Sequence, residues 1–133
     1  MDQQVENGGK KMTIEEVKKI LQGHLVVGSD LSYEVHSAYG SDLMSDVLAF
    51  VKNHVLLLTG LINPQVIRTA EMMDIRTIVF VRGKKPTQDV IELAQQKNMI
   101  ILTTSYSLYT SCGLLYQHGL RGEEEANELA LPR

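Results

Sequence analysis

The sequence predicts an α/β protein whose helices pack on a central parallel or mixed sheet. Three observations carry this. Apolar runs of strand length stand at His54–Thr59, Ile75–Val81 and Met99–Leu102. They close in the polar or glycine-containing stretches Thr59-Gly60, Arg82-Gly83-Lys84-Lys85 and Thr103-Thr104-Ser105. Helix-like sequence follows each one, and strand, polar tip and helix in repetition mark βαβ units. In such sheets ligands collect where strand carboxyl ends meet helix amino ends, so the tips are the place to seek function.

In chain order, Met1–Lys11 is polar with Gly8-Gly9-Lys10-Lys11 and reads as a disordered leader, or as an upstream extension with Met12 as an alternative start. Thr13-Ile14-Glu15-Glu16 is a capping box, which starts a helix that carries Ile14, Val17, Ile20 and Leu21 inward and stops at Gly23. A short strand is expected near His24–Val27, then the Gly28-Ser29-Asp30 turn signal, then a second strand near Tyr33–Tyr39. Ser41-Asp42 caps a helix with Leu43, Val47, Phe50 and Val51 inward and Met44 and Leu48 widening its apolar face. The unbroken apolar run His54–Thr59 is a strand buried on both faces. Asn63-Pro64 supplies cap and N1 proline for a helix that buries Val66, Ile67, Ala70 and Met73. Thr87 caps a helix to about Lys97, and a last helix from about Ser107 to Gln117 ends at Gly119. An acidic tail, residues 121–133, follows.

At 133 residues the chain is one domain, able to bury about two-thirds of its unfolded surface without a disulfide or metal staple. Cys112 is the only cysteine, and the sequence has no secretory or membrane-length apolar run, which places the protein in the cytoplasm and off the membrane. The net charge of −3, with both signs interspersed, argues against nucleic acid as a partner. Without tryptophan, and with little phenylalanine, the core must be aliphatic.

Helix amino termini at Asn63-Pro64, Thr87 and Ser105 are expected to open toward one sheet edge and to favour an anion there. Thr59, Gly60 and Asn63 would give backbone-assisted contacts, Arg82, Gly83 and Lys84 a charged loop, and Thr103, Thr104 and Ser105 hydroxyls. Each is also an ordinary turn or cap residue; their convergence makes the candidate site. Ser41 and Asp42 join it, since Asp42 and Asp46 are expected to share a helix face and to hold a cation or a ligand hydroxyl, or simply to complement a helix dipole. No phosphate-binding loop, nucleophile elbow or zinc motif occurs, the four histidines lack ligand spacing, and Cys112 shares a helical stripe with Leu108 and Leu115 as a buried thiol. No metal, cofactor or catalytic residue is assigned.

The stretch SDLMSDVLAFVKNHVLLLTGLINPQVIRTAEMMDIRTIVFVRG, Ser41 to Gly83, resembles the DRTGG domain family, and the likeness extends from about Met12 to Leu120. LLLTG at Leu56–Gly60 and the Pro64-Gln65 helix start carry it most strongly; Asp42-Leu43 stands where the family motif has Asp-Arg. The resemblance implies a three-layer α/β/α fold like the amino-terminal domain of HPr kinase/phosphorylase. It also implies a homodimeric regulatory module concerned with adenine nucleotides or another phosphorylated small molecule, beside a partner metabolic enzyme. The kinase's phosphate-binding loop is missing, so kinase activity does not carry over. Two other functions are weighed: a ligand-free docking subunit, and an enzyme of small phosphorylated substrates.

Overall fold

The computed structural model describes residues 11–50 and 54–122. The elements are β1 (Met12–Thr13), α1 (Ile14–Leu21), β2 (His24–Val27), β3 (Glu34–Val35), β4 (Ser37–Gly40), α2 (Met44–Phe50), β5 (Val55–Thr59), α3 (Pro64–Met72), β6 (Thr77–Phe80), α4 (Gln88–Gln96), β7 (Ile100–Thr103) and α5 (Leu108–Gln117). A five-stranded sheet has the order β2-β7-β6-β5-β4. Neighbours from β4 to β7 are parallel, and β2 joins β7 antiparallel, so the sheet is mixed.

Alternation along each strand divides the core. Leu57, Ile78, Phe80 and Ile101 face α2, α3 and α4, meeting Val47, Val66, Ile67, Ala70, Val90 and Ala94. Leu56, Leu58, Val79, Ile100 and Leu102 face the other way, onto Ile14, Val17 and Leu21 of α1 and Leu115 of α5. Both faces are covered, and the fold is the three-layer α/β/α arrangement. Strands stepping in one direction with connections of one hand put α2, α3 and α4 in the same layer.

Local sequence signals explain the element ends. Thr13 Oγ1 accepts from Glu16 N–H at 3.2 Å and Glu16 Oε1 accepts from Thr13 N–H at 2.9 Å, the reciprocal capping box. Asn63 Oδ1 accepts from Gln65 N–H at 3.0 Å with Pro64 at the first helical position. Ser107 Oγ accepts from Thr110 N–H at 3.1 Å.

Several expectations are corrected. Gln22, not Gly23, takes the left-handed position after α1 with φ 50; Gly23 is needed for another reason, because a Cβ there would lie 2.9 Å from Thr103 O. Tyr33–Tyr39 is not one strand. Its first part, β3, pairs with β1 in a separate two-stranded sheet, and β4 pairs with β5, with His36 at the corner donating its N–H to His54 O at 2.8 Å. Leu43 and Leu48 do not point inward; they are 58% and 42% exposed, because α2 begins only at Met44 and buries Met44 and Val47. Met73 is half-buried at the end of α3. The third helix terminus is capped by Ser107 rather than Ser105. The placements expected for the leader to Lys10, for Val51 and for the tail from Glu123 fall outside the described residues, and nothing is described of the Phe50 side chain. Arg121 and Gly122 run beside β4, Arg121 O accepting from Ala38 N–H at 3.0 Å.

Candidate functional site

The register brings the carboxyl ends of the parallel strands level: Gly40 is opposite Leu58, Thr59 opposite Phe80, and Phe80 opposite Thr103. Every residue singled out from the sequence therefore lies on one edge, at the tips of β4 to β7 or at the start of α3. Their polar groups, however, are used in different ways.

At the β5 tip, Asp42 reaches back across the edge. Its Oδ1 accepts from Gly60 N–H at 2.7 Å and from Thr59 Oγ1 at 3.1 Å, and Thr59 Oγ1 in turn accepts from Leu61 N–H at 3.1 Å. Arg82 lies against the same glycine: a Cβ on Gly60 would sit 2.7 Å from Arg82 Nη2 and 3.3 Å from Cζ. Glycine is required here for close approach of a guanidinium, not for an unusual φ. Among the described residues the Arg82 side chain has no hydrogen bond or ion pair, and neither has exposed Lys84.

The loop after β6 is a tight turn. Arg82 and Gly83 have φ of 63 and 70, and Lys84 N–H donates to Val81 O at 3.2 Å. Two consecutive positive φ values with this closing bond are the hallmark of a type I′ turn. Arg82 N–H and Gly83 N–H donate to Tyr106 O and Thr104 O at 2.7 and 2.9 Å, tying this loop to the one after β7. The left-handed Arg82, which costs of order 1–3 kcal/mol for a non-glycine residue, is held by those bonds.

Thr104 is buried, its hydroxyl donating to Leu21 O at 2.7 Å and accepting from Tyr106 N–H at 3.2 Å. Ser41 Oγ accepts from Leu43 N–H at 3.0 Å. Gly83, Thr104, Asn63 and Ser41 thus spend their polar groups on the fold, whereas Thr103 is half-buried and Ser105 exposed, neither side chain hydrogen-bonded among the described residues. Sequence reasoning placed Asp42 here but not its contact with Gly60, eighteen residues on, which no local signal encodes.

The opposite, amino edge carries a group that the sequence did not suggest. A cavity of about 250 Å³ is lined there by Gly28, Ser29, Asp30, Arg76, Gln95 and Asn98, among others. Arg76 crosses it as a clamp: Nε donates to Asn98 O at 3.1 Å, Nη1 is 3.9 Å from Asp30 Oδ2, and the guanidinium lies 4.9 Å from the Tyr33 ring centre. Tyr33 stacks on His54 and His54 on His36, with centroids 6.1 and 4.5 Å apart. Burial first, then the neighbouring His54 and Lys11, pull His36 below the ordinary histidine pKa, while Glu34 pushes the other way. Arg76 is already committed to Asn98, Asp30 and Tyr33, whereas the guanidinium at the carboxyl edge is uncommitted; the latter is the better candidate for an external anion.

The DRTGG domain model matches residues 16–118. The chain belongs to the DRTGG domain family. Comparison with characterised protein sequences gives no match. Among solved structures, the DRTGG domain is similar to the CBS and DRTGG domains of the regulatory region of Clostridium perfringens pyrophosphatase, solved with its activator, diadenosine tetraphosphate. The TM-score is 0.68 at 13% identity, over 90% of this chain and 52% of that one. This chain thus spans about half the length of that structure, and the likeness is one of fold. Among the described residues no helix is long and apolar enough to cross a membrane, and no three histidine, cysteine or acidic side chains group as metal ligands. Burial raises the pKa of the Cys112 thiol, which disfavours its nucleophilic form.

Proposed function

We propose that this DRTGG domain is a non-catalytic, cytoplasmic regulatory module, acting as a homodimer, that binds a phosphorylated small molecule or nucleotide at the carboxyl edge of its sheet. One observation carries the reading: the unpartnered Arg82 guanidinium lies against Gly60, beside the Thr59 hydroxyl. A cation, a backbone N–H and a hydroxyl within one small area suit phosphate oxygens, and a planar guanidinium can engage two of them. Lys84, Thr103 and Ser105 stand on the neighbouring tips as further contacts. The solved relative's regulatory region, complexed with a dinucleoside polyphosphate activator, supports the ligand class.

The test is thermal unfolding against inorganic phosphate, pyrophosphate, adenosine mono-, di- and triphosphate and diadenosine tetraphosphate. A ligand at one hundred times its Kd stabilises the fold by about 2.7 kcal/mol, a shift of several degrees. Arg82→Ala should abolish the shift while leaving the unliganded midpoint unchanged; an equal shift in both proteins refutes the assignment.

A docking subunit for a partner enzyme is the second reading, favoured by α5. That helix carries no charged residue and Tyr109 is 89% exposed, while Tyr116, two turns on, is covered by the Arg121 guanidinium at 4.0 Å from its ring centre. Tyrosine and arginine are enriched at interface centres. Retention of a partner enzyme that Tyr109→Glu releases would favour it over ligand sensing.

A further inference from the structure

The groups best suited to receive an anion are not vacant: a carboxylate of the chain itself already sits on them. Asp42 Oδ1 takes both the Gly60 N–H, at 2.7 Å, and the Thr59 hydroxyl, at 3.1 Å. Asp42 is exposed and lies in the short stretch between β4 and α2, so it is not locked in by packing. Arg82, whose guanidinium covers Gly60, makes no ion pair with it or with any other described acid. The carboxylate and the guanidinium therefore approach the same glycine from two elements without engaging each other.

We infer that Asp42 is a built-in competitor of the anion site, occupying the Gly60 and Thr59 donors until a ligand displaces it. This rests on the reading that the carboxyl edge binds phosphate. It deepens that reading in two ways. A tethered carboxylate competes at an effective concentration of roughly millimolar or more. A single-charged anion using only those two donors gains nothing that Asp42 does not already supply. The successful ligand must hold Arg82 or Lys84 while it takes the Gly60 N–H, which favours an anion of higher charge with several oxygens. The site thus favours phosphates and polyphosphates over monocarboxylates.

The experiment measures inorganic pyrophosphate and acetate binding to the whole protein by two-dimensional NMR, following the Gly60 amide. The wild type, Asp42→Ala, Asp42→Asn and Arg82→Ala are compared. The apparent affinity of a site falls with the fraction of molecules in which it is open, so Asp42→Ala should bind pyrophosphate about tenfold tighter or more. It should also show an acetate response that the wild type lacks. Asp42→Asn keeps an acceptor for the Gly60 N–H without the charge and should gain less, which serves where the alanine variant does not fold. If pyrophosphate binds, Arg82→Ala weakens it, and neither Asp42 variant binds more tightly than the wild type, the anion site stands and the competition is overturned. If the Gly60 amide responds in none of the proteins, the anion site and the inference fall together.

Discussion

Single residues at the carboxyl edge divide into those that hold the tips and those left over for a ligand. Thr104 belongs to the first kind. Its hydroxyl is the partner of Leu21 O in a buried position. Thr104→Val should cost about 1–3 kcal/mol, read from the denaturation midpoint, because it strands a buried carbonyl. Gly60 belongs to the second once Asp42 leaves its N–H. The clash that a Cβ would make is with the far end of a flexible side chain. Gly60→Ala should therefore leave stability nearly unchanged and weaken pyrophosphate binding by moving Arg82, and a large fall in melting temperature would contradict this account of the glycine. Ser111 gives the opposite sign. Its Oγ is buried with no hydrogen-bond partner among the described residues, so Ser111→Ala should be neutral or stabilise by up to about 1 kcal/mol. The sequence marked Thr59, Gly60 and Arg82 because strand-end hydroxyls, glycines and cations stand out locally. It did not separate them from Thr104 or Gly83, whose partners are set by tertiary contacts at Leu21 and across to the β7 loop.

At the scale of elements, β2 and the starts of α1 and α3 were legible, whereas the start of α2 and the break within Tyr33–Tyr39 were not. A capping box and an Asn-Pro start act within a few residues, so α1 and α3 begin where the sequence places them. Thr13→Ala should cost about 1 kcal/mol in chemical denaturation, the usual loss of a helix cap. Where Tyr33–Tyr39 breaks depends instead on which neighbours claim each half, β1 for β3 and β5 for β4. The corner is His36, stacked on His54. Its folded pKa is depressed, by burial first and by His54 and Lys11 next. Between that value and the ordinary one near 6.5 the unfolded chain binds more protons, so stability rises with pH through this window and is lost as pH falls through it. Denaturation midpoints measured from pH 5 to 8 should fall on the acid side, and His36→Gln should flatten that slope; an unchanged slope would remove the corner from the pH response.

At the scale of the whole molecule, two cores on either face of one mixed sheet make the tips a rigid platform. Phe80, which is fully buried between β6 and the α2 to α4 layer, anchors the strand that ends in the Arg82 turn. Phe80→Ala should cost about 3–5 kcal/mol, enough to threaten a domain of this size. The three-layer architecture was readable because buried parallel strands are continuous apolar runs, as in Val55–Leu58 and Ile78–Val81. The direction of β2 was not, since a short half-buried strand carries no mark of it, although its bounds, His24–Val27, are those the sequence places. The platform presents its uncommitted cation at the carboxyl edge and a self-paired clamp, Arg76 with Asp30 and Asn98, at the amino edge. A phosphate ligand should bind at the first of these. A map of amide shifts in the wild-type protein under titration with inorganic pyrophosphate tests this. Perturbations should centre on Thr59, Gly60, Arg82 and Lys84; a centre on Gly28, Arg76 and Asn98, or no perturbation at all, would refute binding at the carboxyl edge.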